Sequence, residues 1–363
     1  MITFDSVTKQ FPDGTIAAND LTFEVPSGEM TVFVGPSGCG KSTTLRMTNR
    51  MIEPTSGQIS VNDRDIKSVP APELRLDIGY VIQQVGLFPH LTIADNIATV
   101  PSLIGWDKQR TRDRVEELIE TVGLSQNVAD RYPGQLSGGQ QQRVGVARAL
   151  AADPSVMLMD EPFGAVDPIV RSLLQDEFLR LQRELHKTIL FVTHDIDEAI
   201  KMGDRIAIFS EGGVLEQYAT PTQLLASPAN DFVVDFLGPE RNLKRLALIP
   251  TSQVEAQPGP CVSANDTPAH ASEEARKSGT NWVFVLDDER RVKGWLPTEE
   301  IEGHQKVSDV PSRPFREFVA SSDSLRVALD AMVESPNGAV VRVDEEGRYE
   351  GTITRETFPQ GLE

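Results

Sequence analysis

Cysteine is scarce. Cys39 and Cys261 are the only two and lie far apart, so no disulfide framework is expected, which suits a reducing compartment. Positive charge is also in deficit. The 35 Lys and Arg stand against 54 Asp and Glu, a formal charge of −19, and a nucleic-acid partner, which needs a basic face, is not expected. Long apolar runs are missing. None approaches the roughly 18 residues of a membrane-spanning helix, and the longest, such as Ile189 to Val192, are strand-sized. The opening MITFDSVTKQF alternates like a strand and lacks the apolar stretch of a secretory signal. If the protein works at a membrane, another chain does the spanning. What remains is an ordinary globular composition, 39% hydrophobic and 25% charged over 363 residues, enough for two or three domains.

Residues 1–34 read as short alternating strands with turns at Pro12-Asp13-Gly14 and Pro26-Ser27-Gly28. Met30 to Val34 is an apolar run leading into a glycine loop, and a helix is expected from Ser42 to Asn49. Residues 84–150 carry mostly helical patterns, such as Arg110 to Val122, broken by Pro89, Pro101 and Pro133. Val156 to Met159 and Ile189 to Val192 read as buried parallel strands flanking a helix at about 168–186. Ile206–Phe209 and Val214–Gln217 surround Glu211-Gly212-Gly213, a hairpin signal. Residues 238–260, with four prolines, read as a connector. Beyond it the chain repeats. Trp282 to Gly294 aligns without gaps on Ala339 to Gly351 at an offset of 57 residues. Each copy reads helix, strand, acidic turn, strand, short helix. Such pairs arise when one unit cannot bury its apolar face alone.

Gly35-Pro36-Ser37-Gly38-Cys39-Gly40-Lys41-Ser42 follows a strand and opens a helix, the context a phosphate-binding loop requires. Its glycines let backbone N–H groups wrap phosphates, and the helix start, through Thr43, adds partial positive charge. Lys41 is expected on the β- and γ-phosphates and the Ser42 hydroxyl on Mg²⁺. Val156 to Met159 ends in Asp160-Glu161. Asp160 is expected to hold Mg²⁺, directly or through water, and Glu161 to polarise the attacking water, the division of labour that in-line phosphoryl transfer needs. An acidic helix cap is the bland alternative for this pair, and the glycine loop argues against it.

With Leu136-Ser137-Gly138-Gly139-Gln140 and the following Gln141-Gln142-Arg143, the chain strongly resembles the ABC transporter ATPases over residues 1 to about 240. The resemblance implies an α/β fold: a P-loop NTPase with a RecA-like core, an antiparallel β subdomain and a helical subdomain. It implies that Ser137 and Gly139, with Gly138 and Gln140 in the same turn, face the γ-phosphate held by a second copy. It implies a water- and Mg²⁺-contacting glutamine at Gln83, with Gln84 as the alternative register. Asp167, in Gly164-Ala165-Val166-Asp167, falls in the loop that couples the two sites, and His194 is the switch histidine that contacts the γ-phosphate. Phe11 falls where the family stacks an aromatic ring on adenine. The implied cofactors are ATP and Mg²⁺. One phosphate loop and one such turn per chain imply a dimer that sandwiches ATP.

Val85 to Thr92 resembles the importer segment that receives a helix of the membrane permease, which implies a place at the cytoplasmic face of the membrane, with an extracytoplasmic binding protein as an indirect partner. Residues 232–248 and the repeated tail resemble the osmoprotectant importers for glycine betaine, proline, choline or carnitine, whose ATPases carry a tandem CBS module. Another importer subgroup or a soluble ABC ATPase is the alternative. The expected organisation is a nucleotide-binding domain over 1–240, a linker over 241–260, and CBS-like repeats over 261–305 and 306–363. Where nucleotide-binding CBS modules place an aspartate, this chain has Glu300 and Thr357, which counts against an adenine-nucleotide site. From residue 241 onward acidic residues outnumber basic ones, which opposes contact with anionic lipid.

Overall fold

The computed structural model describes residues 1–83, 86–164 and 166–358. Gln84, Val85 and Ala165, and the last five residues of the second repeat, lie outside them. The chain divides into two units, Met1–Gly238 and Pro239–Glu363. Among the described residues no helix is long and apolar enough to cross a membrane.

The first unit runs β1 (Ile2–Gln10), β2 (Ile16–Val25), β3 (Met30–Val34), α1 (Lys41–Thr48), β4 (Ser56–Val61), β5 (Arg64–Asp65), α2 (Ala71–Leu76) and β6 (Ile78–Val81). It continues through α3 (Ile93–Leu103), α4 (Lys108–Thr121), α5 (Gly138–Leu150), β7 (Val156–Asp160), α6 (Pro168–Leu185) and β8 (Thr188–Val192). It closes with α7 (Ile196–Met202), β9 (Arg205–Ser210), β10 (Val214–Ala219), α8 (Pro221–Ala226) and α9 (Asp231–Leu237). Six strands form a sheet ordered β10-β9-β3-β8-β7-β6. All but β10 run parallel. Every residue of β3, β7 and β8 is buried, which is why their sequences are continuous rather than alternating apolar runs. Their carboxyl ends share one edge, the usual ligand edge of an open parallel sheet.

A second sheet, antiparallel and ordered β2-β1-β4-β5, shares its core with the first. Phe4 stacks on Phe23 with ring centroids 4.5 Å apart. Phe23 meets Phe33 edge-on at 5.7 Å, and Phe33 meets Phe209 at 5.1 Å. These four rings join the two sheets in the offset and edge geometries that rings prefer. The helical insertion α3–α5 lies between β6 and β7 in sequence. Pro101, expected to break a helix, sits inside α3. Its missing N–H removes one ladder bond, but the helix ends two residues later and the ring is buried. Val233 and Leu237 of α9 are fully buried, and α9 packs on β10 of this unit, so its last helix belongs to its own core. A chain ending at Gly238 is therefore expected to fold and keep basal ATPase activity, checked by a cooperative melt and phosphate release. Failure to fold would contradict the division.

The second unit contains α10 (Arg241–Ala247), β11 (Cys261–Ser263), α11 (Pro268–Lys277), β12 (Trp282–Leu286), β13 (Val292–Pro297) and α12 (Thr298–Ile301). Then come β14 (Phe318–Ala320), α13 (Leu325–Glu334), β15 (Ala339–Val343) and β16 (Tyr349–Thr354). Strands and principal helices recur at the 57-residue offset. The acidic turns recur atom for atom. Asp287 accepts from the Glu289 and Arg291 amides at 3.0 and 2.7 Å, and Asp344 from the Glu346 and Arg348 amides at 3.0 and 2.8 Å. These bonds hold both carboxyls below their ordinary range. Each copy also has a three-residue leading strand, β11 or β14, that pairs parallel with the next, and the sequence reading passed over both. Residues 241–260 are not a free linker. Leu246 and Val254 pack on Leu325, the Thr251 hydroxyl donates to the Ala320 carbonyl at 2.6 Å, and Gln257 exchanges backbone bonds with Thr352. The prolines mark a connector, but Leu246 and Val254 between them are buried against the second repeat.

Candidate nucleotide-binding and catalytic site

The glycine loop joins β3 to α1 at the carboxyl edge. Its backbone needs glycine at two places. Gly35 has φ +154 and a side chain there would collide with the Phe209 carbonyl, and Gly40 has φ +102 and would collide with the Ala17 carbonyl. Lys41 is 6% exposed. Its ammonium donates to the Gly35 and Pro36 carbonyls, both at 2.8 Å, and lies 3.5 Å from Cys39 Sγ. The positive charge is thus held within the loop, where backbone N–H groups and the helix start also favour phosphate.

Ser42 Oγ donates to Asp160 Oδ1 at 2.6 Å. The other carboxylate oxygen, Oδ2, is 3.3 Å from Arg46 Nη2. Asp160 is 2% exposed, a burial that a carboxylate tolerates only with such partners. Tyr80, one strand over on β6, joins the group. Burial, then the Asp160 charge, pushes its phenol upward. A hydrogen bond to Tyr80 is the main influence raising Arg46. Sequence reasoning missed Arg46. The available signal was a basic residue one helical turn beyond Ser42, on the same face.

Glu161 follows Asp160 with φ +45, a left-handed conformation that costs a non-glycine residue about 1–3 kcal/mol and clusters at working sites. Its backbone N–H donates to the Val192 carbonyl of β8 at 3.0 Å. Its side chain is reached from two neighbouring strand ends. Gln83 Nε2, after β6, donates to Oε2 at 3.0 Å, and His194 Nδ1, after β8, lies 3.4 Å from the same oxygen. Two side chains from two loops thus converge on one carboxylate, which is 22% exposed and so open to a water or substrate from one side.

Other expected positions lie apart from this group. Ser137 caps α5 in a reciprocal box: its hydroxyl accepts from Gln140 N at 3.3 Å, and Gln140 Oε1 accepts from Ser137 N at 3.0 Å. The box leaves Gly138 exposed and Gly139 half-buried at the helix start. Among the described residues no hydrogen bond joins this turn to the glycine loop of the same chain. Asp167 caps α6 through Ile169 N at 3.0 Å. Phe11, half-buried at the tip beyond β1, has the Lys9 ammonium 5.1 Å from its ring centroid. In the segment before α3, Phe88 is 41% exposed. Asn96, fully buried, ties that segment together by accepting from Phe88 N at 2.8 Å and donating to the Phe88, Leu91 and Thr92 carbonyls. Arg148 donates to the Gly86 carbonyl at 2.7 Å. Neither Asn96 nor Arg148 was singled out in the sequence. In the second unit, Glu300 is paired with Arg313, and the Thr357 hydroxyl donates to the Thr354 carbonyl at 2.7 Å, so both side chains are engaged locally.

Residues 18–164 match the family profile described as ABC transporter, and residues 307–358 match that of the CBS domain. The osmoprotectant import ATP-binding protein OsmV of Salmonella typhimurium is 45% identical over 362 residues, covering 98% of this chain and 94% of OsmV. This chain belongs to the ABC transporter ATP-binding family. The carnitine transport ATP-binding protein OpuCA of Listeria monocytogenes is 42% identical over 360 residues, with 98% and 90% of the two chains covered. Among solved structures, the ATP-binding cassette MJ0796, a dimer bound to ADP and Pi, is similar with a TM-score of 0.55 and 32% identity, over 61% of this chain and 99% of that one. The α/β cassette with its CBS-bearing tail is therefore that of an ATP-binding, ATP-hydrolysing ABC transport protein.

Proposed function

We propose that this ABC ATPase powers the import of a small osmoprotectant, glycine betaine, choline, carnitine or proline, through a separate membrane permease, from the cytoplasmic face. The observation that carries this reading is similarity to OsmV along 94% of that protein, cassette and tail together. Two copies close head to tail, each supplying Ser137 and Gly139 to the triphosphate bound on the other's Gly35–Thr43 loop. The separation of the two motifs within one chain supports this arrangement, as does the dimeric state of MJ0796. Asp167 lies at the seam between the copies, and Phe11 stacks on adenine.

Ser42 Oγ and Asp160 Oδ1, 2.6 Å apart, make a hard oxygen donor set that suits Mg²⁺. Ser42, Asp160 and Gln83 would hold the ion, whose bound form neutralises charge on the β- and γ-oxygens. Lys41 adds to that neutralisation. Glu161 accepts the proton of the attacking water, and Gln83 and His194, meeting on its Oε2, orient that carboxylate. His194 also reaches the γ-phosphate. The exposed Phe88 segment, braced by Asn96 and Arg148, receives the permease.

The purified chain, reconstituted with its permease and binding protein in liposomes, tests the substrate class. ATPase activity is expected to rise when the binding protein carries a quaternary amine or proline. Stimulation by a sugar or an inorganic anion instead would overturn it.

A further inference from the structure

Beside Glu161 and His194 the first unit has a small, partly open cavity with room for about one water molecule. Its polar walls include Glu161, Arg171, Thr193, His194 and Glu198. Two of these side chains have hydrogen-bonding capacity left over. Arg171, on α6, donates from Nη2 to the Val166 carbonyl at 3.1 Å. Its Nε is fully buried and finds no hydrogen-bond partner among the described residues, a costly condition for a charged donor. Glu198, on α7, is 8% exposed. Its Oε1 accepts from Gln175 Nε2 at 2.9 Å. Burial, its largest influence, pushes the Glu198 carboxyl upward, opposed by hydrogen bonds from Thr193 and Gln175 and by attraction to Arg171.

We propose that this cavity is a binding site for one ordered water that accepts from Arg171 Nε and donates to the Glu198 carboxylate, making both side chains positioning residues for Glu161 and His194. The link has a direction. Arg171 holds the Val166 carbonyl next to Asp167. Glu198 is held by Gln175 and by Thr193, the neighbour of His194. A water between them ties the loop that meets the second copy to the strand end that carries the histidine. A buried water needs two to four polar partners, and Glu161, also in the wall, supplies a third. The inference rests on the roles proposed for Glu161 and His194, but the water itself does not.

The test has two arms. A crystal structure of the nucleotide-free wild-type chain, at a resolution that shows ordered solvent, is expected to place a water within hydrogen-bonding distance of both Arg171 Nε and the Glu198 carboxylate. An empty cavity would overturn the proposal whatever the activity data show. In the second arm, Arg171→Met and Glu198→Ala are each expected to lower kcat about tenfold, as outer-shell losses do, with ATP affinity and KM unchanged. The double variant is expected to be no worse than either single one, and Glu198→Gln, which can still bind water, to recover part of the loss. Additive losses, or a KM effect at constant kcat, would remove the positioning role. Retained turnover in Glu161→Gln would count against the proposed function while leaving the water in place, so the two failures are distinguishable.

Discussion

Glu161→Gln is expected to bind ATP as the wild type does and to lose hydrolysis by about a thousandfold, within the range of a lost general base. The substitution keeps the side chain's size and its place beside Gln83 and His194, both of which meet the Glu161 carboxylate, but an amide cannot take the proton of an attacking water. Removing a negative charge beside the triphosphate also favours the closed state. The variant should therefore accumulate with ATP and magnesium as a dimer of twice the monomer mass, measured by light scattering. Turnover near that of the wild type would move the proton acceptor elsewhere, with His194 the nearest group to examine.

Gly40→Ala is expected to lower ATP affinity by about a hundredfold, the scale set by 1–3 kcal/mol of backbone strain. At φ +102 the new methyl group would run into the Ala17 carbonyl of β2, so the loop must open or β2 must shift. Gly38→Ala is the control. Gly38 also has positive φ, +82, but a side chain there meets nothing within 4 Å. It should lose less, and the difference measures the collision apart from the strain. Equal losses in equilibrium ATP binding would mean that the approach of β2 does not shape the loop.

How much of this was legible beforehand depended on how local each feature was. The fully buried strands β3, β7 and β8 write themselves as apolar runs, and the glycine loop and Asp160-Glu161 are contiguous motifs at their ends. The repeat was visible because both copies keep the same acidic turn, held by Asp287 and Asp344. What escaped was mostly non-local. Arg46 matters because a helix start lies beside the end of a distant strand. Asn96 and Arg148 brace carbonyls that no spacing rule points to. The leading strands β11 and β14 are too short to alternate, and residues 241–260 read as a linker because prolines speak louder in a sequence than the leucines between them.

The central claim is that each ATP is held by the loop of one copy and the serine-glycine turn of another. Lys41→Ala disables the first element. Gly138→Asp disables the second by setting a negative charge against the γ-phosphate, at a position where a side chain meets nothing within 4 Å. Both are placed in the Glu161→Gln background, and the two chains are co-purified with different tags. The measurement is the amount of ATP occluded per mixed pair. The account predicts one ATP for each pair, because one shared site keeps an intact loop and an intact turn, while either homodimer traps none. No trapped ATP in the mixed pair, with both chains folded, would contradict it.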